Sequence, residues 1–422
     1  MYNKVVYYIF LMFMSPALTL YVSFKENNLF IKKWVLILLI TVFGSIILFT
    51  PAGDGVRYVE IVENHYIGMS FAEFSEGLIN IFKLTPEFYQ RGDPYVHIVS
   101  YISGGIFQSE KPFFIIISFI YGYFYISSLL KVFYKFKIQE FTLPIVLLGM
   151  VLIFWEGVEG INTVRTWTGA WVLFYSVISY FEKKQVKYLI LIALCPLIHF
   201  AYFFISIPVW IVILFNVKPM FYTILYVTSF LFTFNTAGNF VEVIKNTSEL
   251  GEGRVQAYDK GEEYYEEQSK LHKSTTTWYA AFGSPSRFIA LNILIFILVI
   301  QGNFIKMMTG LERKLFSVAL LMMVIANYSS AIPAMKTRTM RNAGIYVLAV
   351  TIMILIDKRF YLKKAIKPFV DIALLIIMGL FCIFLLYKFA SLLYLLSVFI
   401  FLSPLIPWIF NDMNFSIRDI FK

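Results

Sequence analysis

Charge is what this sequence has least of. Only 15% of its 422 residues are Asp, Glu, Lys or Arg, against 59% apolar and 19% aromatic. A soluble chain of this length cannot hide that much apolar surface, so a bilayer must solvate it. Cysteine is scarcer still. Cys195 and Cys382 both lie inside apolar runs, which excludes a disulfide framework. The four histidines, His65, His97, His199 and His272, never pair at helical ligand spacing, so no metal site is expected. A P-loop, a G-x-G-x-x-G turn and a D-x-D pair are all missing. Without these handles for nucleotides and nucleotide sugars, no cofactor is expected.

What is present is a succession of apolar runs, with a mean hydropathy of +0.74. They occupy roughly 5–24, 34–51, 112–130, 141–156, 166–182, 186–200, 201–217, 219–236, 285–303, 315–331, 342–357, 368–387 and 389–410. None shows the period-2 alternation of a barrel strand. The expectation is therefore an all-α, polytopic membrane protein of about 12 to 14 transmembrane helices, residues 1–422 forming one domain. The first run resembles a signal peptide but lacks a small-x-small cleavage site, so it reads as an uncleaved helix.

The net charge of +10 reads as topology, and no nucleic-acid partner is implied. Loops at 25–33, 131–140, 183–187, 218, 304–314 and 358–367, with the last residues, hold 20 of the 36 lysines and arginines. Cytoplasmic loops carry such an excess. This puts the start of the chain outside and its end inside. It requires that "YVHIVSYISGGIF", within 95–108, be a re-entrant or interfacial helix. Two large loops, 52–111 and 237–284, then face outward. The segment "RVQAYDKGEEYYEEQSKLHK" in the second reads as an acidic helical stretch on the surface.

Some basic residues break that rule. Arg165 opens an apolar helix, with Asn162 one turn before it and Glu156 and Glu159 close by. Lys336, Arg338 and Arg341 crowd a short outer loop, and Arg338 and Arg341 share a face if that stretch is helical. Arg57 and Arg287 lie at the same depth. Interfacial arginines either snorkel to headgroups or hold an anion. Arginine's fork matches phosphate oxygens two at a time, so the second reading is a polyanion site made of Arg57, Arg165, Arg287, Arg338 and Arg341. Tyr58, Trp167, Trp278 and Tyr279 either stack on sugars or anchor the interface.

The stretch "INTVRTWTGAWVLFYSVISYFEKKQVKYLILIALCPLIHFAYFFISIPVWI" resembles the central segment of the EpsG-like, Wzy-type polysaccharide polymerases. Asn162, Arg165, Glu182-Lys183-Lys184 and His199 fall in the family's register. Thr166 stands where the family usually has Gln, and Ala201 lies near its usual Ser. "AGDGVRYVEIVENHY", with Asp54 and Tyr58, and "GDPYVHIVSYI" resemble the family's first outer loop and the segment before its third helix. The likeness covers roughly 34–215, and the rest follows by hydropathy alone.

The resemblance implies a glycosyltransferase of the bacterial inner membrane. It would join undecaprenyl-pyrophosphate-linked oligosaccharide repeat units outside the membrane into O-antigen, capsule or exopolysaccharide. A chain-length regulator and a flippase would be its partners. Arginines would hold the pyrophosphate, Asn162 and the aromatics would hold sugars, and a base would take the acceptor proton. His199 is the first choice of base, with Glu159 and Asp54 behind it. The rivals are a flippase of the same lipid, an O-antigen ligase and a scaffold. A flippase tends to show internal repeats and mid-helix charges, neither of which is evident here. The orientation makes one test simple. Cysteine at Ser269 should react with an impermeant maleimide in intact spheroplasts, and labelling only after lysis would invert the topology.

Overall fold

The computed structural model describes residues 2–49, 54–83, 85, 87, 93–134, 142–215, 218–230, 278–300, 304–329, 332–357, 367–409 and 415–421. Residues 237–277, most of the second expected outer loop with its acidic stretch, lie outside the described residues. Among the described residues, extended structure is limited to an isolated bridge between Ser397 and Ser416. Five helices are long and apolar enough to cross a bilayer, which marks an α-helical membrane protein: Lys111–Phe133, Leu143–Thr163, Ala281–Val299, Pro333–Ile356 and Asp371–Leu395.

The first apolar run is not one span. Pro16 cannot continue a helix, and Ser15 caps a new one by accepting the Leu18 N–H at 3.2 Å. α1 (Tyr2–Met14) and α2 (Pro16–Phe24) fold back on each other. The Lys4 ammonium meets Glu26 at 3.1 Å, and the Tyr8 hydroxyl donates to the same carboxylate. Residue 4 therefore sits at the same end of the bundle as the 25–33 loop, where strict alternation had put it opposite.

α3 (Leu29–Ser45) starts at the Asn28 cap and packs along α7 (Lys111–Phe133). Between them, α4 (Asp54–His65), α5 (Phe71–Phe82) and α6 (Pro94–Ser100) gather where α7 begins, and Tyr58 stacks on Phe113 at 5.8 Å. At seven residues, α6 is only about 10 Å long. The π turn Tyr101–Ile106 continues it, giving a short helical segment where the sequence suggests a re-entrant or interfacial helix. His97 ties this layer together: its Nε2–H donates to Phe74 O at 2.9 Å, and its Nδ1 accepts the Tyr66 hydroxyl at 2.7 Å. Burial holds its pKa below the ordinary histidine value, in keeping with a neutral ring.

α8 (Leu143–Trp155) leads through a 3₁₀ turn, Val158–Thr163, into α9 (Arg165–Lys183). α9 is buried nearly all round, which makes it the axis of the bundle. α10 (Val186–Ile198), α11 (Tyr202–Ile205), α12 (Ile207–Leu214) and α13 (Pro219–Ser229) follow. Beyond them run α14 (Trp278–Ile300), α15 (Phe304–Met307), α16 (Gly310–Tyr328), α17 (Pro333–Ile356), α18 (Lys367–Leu395) and α19 (Leu405–Ile409). α14 pairs with α18, and α16 with α17.

Two more expectations change here. α17 begins at Pro333, so Lys336, Arg338 and Arg341 are helical and not in a loop. α18 runs straight through Lys388, where the sequence had suggested a break between two spans. The end of the chain also lies elsewhere than expected. Ile417 N–H donates to Leu396 O, and Leu48 N–H to Leu395 O. Residues 415–421 therefore share an end with the C-terminus of α3, opposite Lys4 and Glu26.

α8 and α17 meet closely at Gly344. A Cβ there would lie 2.1 Å from Trp155 Cζ2, while the Trp155 indole donates to Arg341 O at 2.7 Å. Gly344→Ala is expected to destabilise the protein by about 1–3 kcal/mol. Thermal unfolding in detergent should show this loss. Gly379→Ala, with nothing within 4 Å, should leave the midpoint unchanged or raise it.

Candidate functional site: two buried carboxylates and the arginines around them

The site grows from a break in helical backbone. α8 stops at Trp155, and the carbonyl of Glu156 is left without a helical partner, while that of Gly157 accepts the Gly160 N–H of the 3₁₀ turn at 2.8 Å. The Tyr121 hydroxyl reaches both at 2.6 Å, and the Trp171 indole reaches Glu156 O at 3.0 Å. Irregular backbone at membrane depth survives only when buried and satisfied in this way. The segment ends at Val164, whose φ of +52° is rare and strained for a β-branched residue. That turn sets the direction of Arg165 at the first position of α9.

Asp93 is the first of two anchors. It caps α6, ahead of Pro94, and is 1% exposed. Its carboxylate accepts from the Arg165 guanidinium and from Phe200 N–H at 2.9 Å, and it meets His199 Nδ1 at 3.4 Å. On the far side of the ring, Arg338 Nη1 lies 3.3 Å from His199 Nε2. Arginine has no acceptor to offer. Nε2 therefore carries the lone pair, and Nδ1–H points at Asp93. This one carboxylate joins Arg165 and His199 directly, and Arg338 through the imidazole, from α9, α10 and α17.

Glu156 is the second anchor, also 1% exposed. Arg341 grips it with two parallel N–H bonds, from Nε and Nη2. Arg287 Nη1 lies 3.6 Å away. The Arg287 guanidinium sits among Trp155, Phe288 and Phe384 at 5.5, 4.7 and 5.5 Å, and its Nε has no hydrogen-bond partner among the described residues. Arg341 lies 3.7 Å over the Trp167 ring. A third pair, Glu159 with Lys388, ties the 3₁₀ turn to α18. Arg165 and Arg341 each keep 20% of their side chain accessible, so neither cluster is sealed off.

The other expected residues are placed as follows. Asp54 and Arg57 are exposed on α4. Tyr58 feels both of them as well as Arg165 and Arg338, and burial pushes its hydroxyl above the usual tyrosine value. It is 1% exposed and Trp167 is 3% exposed, so neither offers an open face to a sugar, contrary to expectation. Asn162 spends its side-chain carbonyl on Gly55 N–H at 2.9 Å. Trp278 and Tyr279 open α14, and their side chains lie outside the described residues. Asp93 and Lys388 join the cluster without being among the residues expected there. The Asp-Pro start of α6 was the available signal for Asp93. Among the described residues no three His, Cys, Asp or Glu side chains converge as metal ligands.

Family models, curated proteins and solved structures yield no match to this chain. The resemblance to polysaccharide polymerases therefore stands on the quoted residues alone.

The buried Arg–Glu–Arg arrangement gives a stability test. Glu156→Gln leaves two guanidinium groups facing each other without a carboxylate. The expected loss is about 3–5 kcal/mol, since an uncompensated buried charge is far costlier than a missing pair. Adding Arg287→Met removes one of the two cations, and unfolding in detergent should show a substantial part of the loss recovered.

Proposed function

We propose that the protein is a membrane glycosyltransferase that polymerises undecaprenyl-pyrophosphate-linked oligosaccharide repeat units. The end holding Asp93 and Glu156 would face outward from the bacterial inner membrane, with the 25–33 loop in the cytoplasm. The observation that carries this reading is a charge balance. Among the described residues, Arg165, Arg287, Arg338, Arg341 and Lys388 gather around Asp93, Glu156 and Glu159, five formal positive charges against three negative. A cluster of guanidinium groups at the end of an apolar bundle suits a ligand with two negative charges and a lipid tail. A pyrophosphate diester has that charge, and arginine forks match its oxygens.

In this reading an acceptor hydroxyl attacks the anomeric carbon of the growing chain. The bond from that carbon to the pyrophosphate oxygen breaks, and its electron pair leaves with the phosphate. Arg165 and Arg338 stabilise the departing charge. His199 Nε2 takes the acceptor proton, with Asp93 holding Nδ1–H and steadying the imidazolium that forms. Arg338 covers Nε2 until a pyrophosphate draws its guanidinium away. Donor binding and release of the base are thus one event.

Arg165→Lys keeps the charge and loses the fork. Polymerisation of purified lipid-linked repeat units should fall by on the order of 10²–10³, at matched protein levels, and likewise for Arg338→Ala. Lys336→Ala should stay near wild type. Near-normal long polymer from Arg165→Lys would make Arg165 a membrane anchor and remove it from the chemistry. In cells, loss of the protein should leave single repeat units on the surface. Loss of all repeats would indicate a flippase, and polymer on the wrong lipid a ligase.

A further inference from the structure

The opposite end of the bundle carries a different pattern. Lysines there lie against aromatic rings: Lys25 on Tyr21 at 4.7 Å, Lys33 on Tyr123 at 4.3 Å, Lys131 on Tyr175 at 5.9 Å and Lys187 on Tyr188 at 5.2 Å. Most of this is what an interfacial belt requires. One place is different. Lys184, in a left-handed conformation just past α9, has its ammonium 4.7 Å from the Tyr180 ring centre and 5.1 Å from that of Phe181. Lys314 of α16 brings a second ammonium to 5.4 Å from the same Phe181 ring.

Two like charges crowded on one ring repel each other. Burial first, and the neighbouring Lys314 second, hold Lys184 below the usual lysine pKa. Among the described residues, neither ammonium has a carboxylate within ion-pair distance. The nearby Lys131 differs, because Glu182 pairs with it. Glu312 sits beside Lys314 in sequence but is spent on the Thr309 N–H that caps α16. Among the described residues, no anion completes the arrangement.

We infer that Lys184 and Lys314 together bind a phosphate group, supplied by the headgroup of an anionic membrane lipid. Two observations favour a lipid over a free ion. The first is position: α9 spans about 28 Å from Arg165 to Lys183, so this end meets the other headgroup layer. The second is an apolar stripe that begins two residues after Lys184. Val186, Ile190 and Leu194 stand on one face of α10 and are 67%, 53% and 43% exposed. They run away from the lysines towards the middle of the bundle, a path for an acyl chain below a held phosphate. Basic pockets between membrane helices take anionic headgroups in this manner. The inference does not depend on what the Asp93–Glu156 end does.

The test uses the full-length protein in a nonionic detergent, with bound lipid counted by native mass spectrometry. Wild type should retain phosphatidylglycerol over phosphatidylcholine. Lys184→Gln and Lys314→Gln should each weaken that retention by roughly fivefold, the loss of one lysine's attraction to an anionic headgroup. Lys187→Gln, at the same end but outside the pair, should retain wild-type binding. Stabilisation against heat should track these affinities. Equal retention by the Lys184 and Lys314 variants would overturn the site, as would equal binding of phosphatidylcholine. Protection by inorganic phosphate alone, matching that by phosphatidylglycerol, would overturn the lipid assignment and leave an ion site.

Discussion

A carboxylate in hydrocarbon must find cations or give up its charge, and most of this bundle's end is organised around that demand. Glu156 takes Arg341 in a two-bond grip and Arg287 beside it. Those two arginines come from α17 and α14, so one side chain sets the spacing of three helices. The break that ends α8 at Glu156 also turns the chain toward Arg165. Tyr121 and Trp171 are committed to the exposed carbonyls of that break. Remove the carboxylate, and both the charge balance and the packing of α8 against α17 lose their reason.

Asp93 does for α6, α9 and α10 what Glu156 does for α8, α14 and α17. Each anchor is a buried acid shared by more than one base, and such sharing holds geometry better than a simple pair. Whether it also adds stability is a separate matter, because desolvation of buried ions offsets much of their attraction. Arg341 is part of both arrangements in another sense: it lies over Trp167, a residue of α9, while it holds Glu156 of α8. α9 and α17 therefore each contribute to both clusters: Arg165 and Trp167 from the one, Arg338 and Arg341 from the other.

Much of the helical plan is legible from hydropathy, since spans such as 112–130, 141–156 and 166–182 appear with their boundaries shifted by a few residues. What escapes follows from one blind spot. Hydropathy treats every charge as a boundary. Lys388 therefore read as a break, although Glu159 neutralises it and α18 continues through it. Lys336, Arg338 and Arg341 read as a loop for the same reason. The α1–α2 hairpin was hidden too, because Pro16 sits in a run apolar enough to span, and the reversal shows in the bonds from Lys4 and Tyr8 to Glu26. Arg165, Arg287, Arg338 and Arg341 were recognisable as charges out of place, and His199 through the family resemblance. Asp93 was not, because its partners lie more than seventy residues away.

The order of these charges along the chain bears on how the protein is made. Asp93, Glu156 and Glu159 all precede the cations they hold: Arg165 and His199, then Arg287, Arg338, Arg341 and Lys388. Synthesis runs from the first residue onward, and early segments settle before later ones exist. Each arginine or lysine thus enters a bilayer where its acid is already waiting. A lone cation in hydrocarbon resists insertion; one that meets a carboxylate on arrival does not. α18, with Lys388 near its far end, is the last long helix to be delivered, and Glu159 has by then been in place for more than two hundred residues of synthesis.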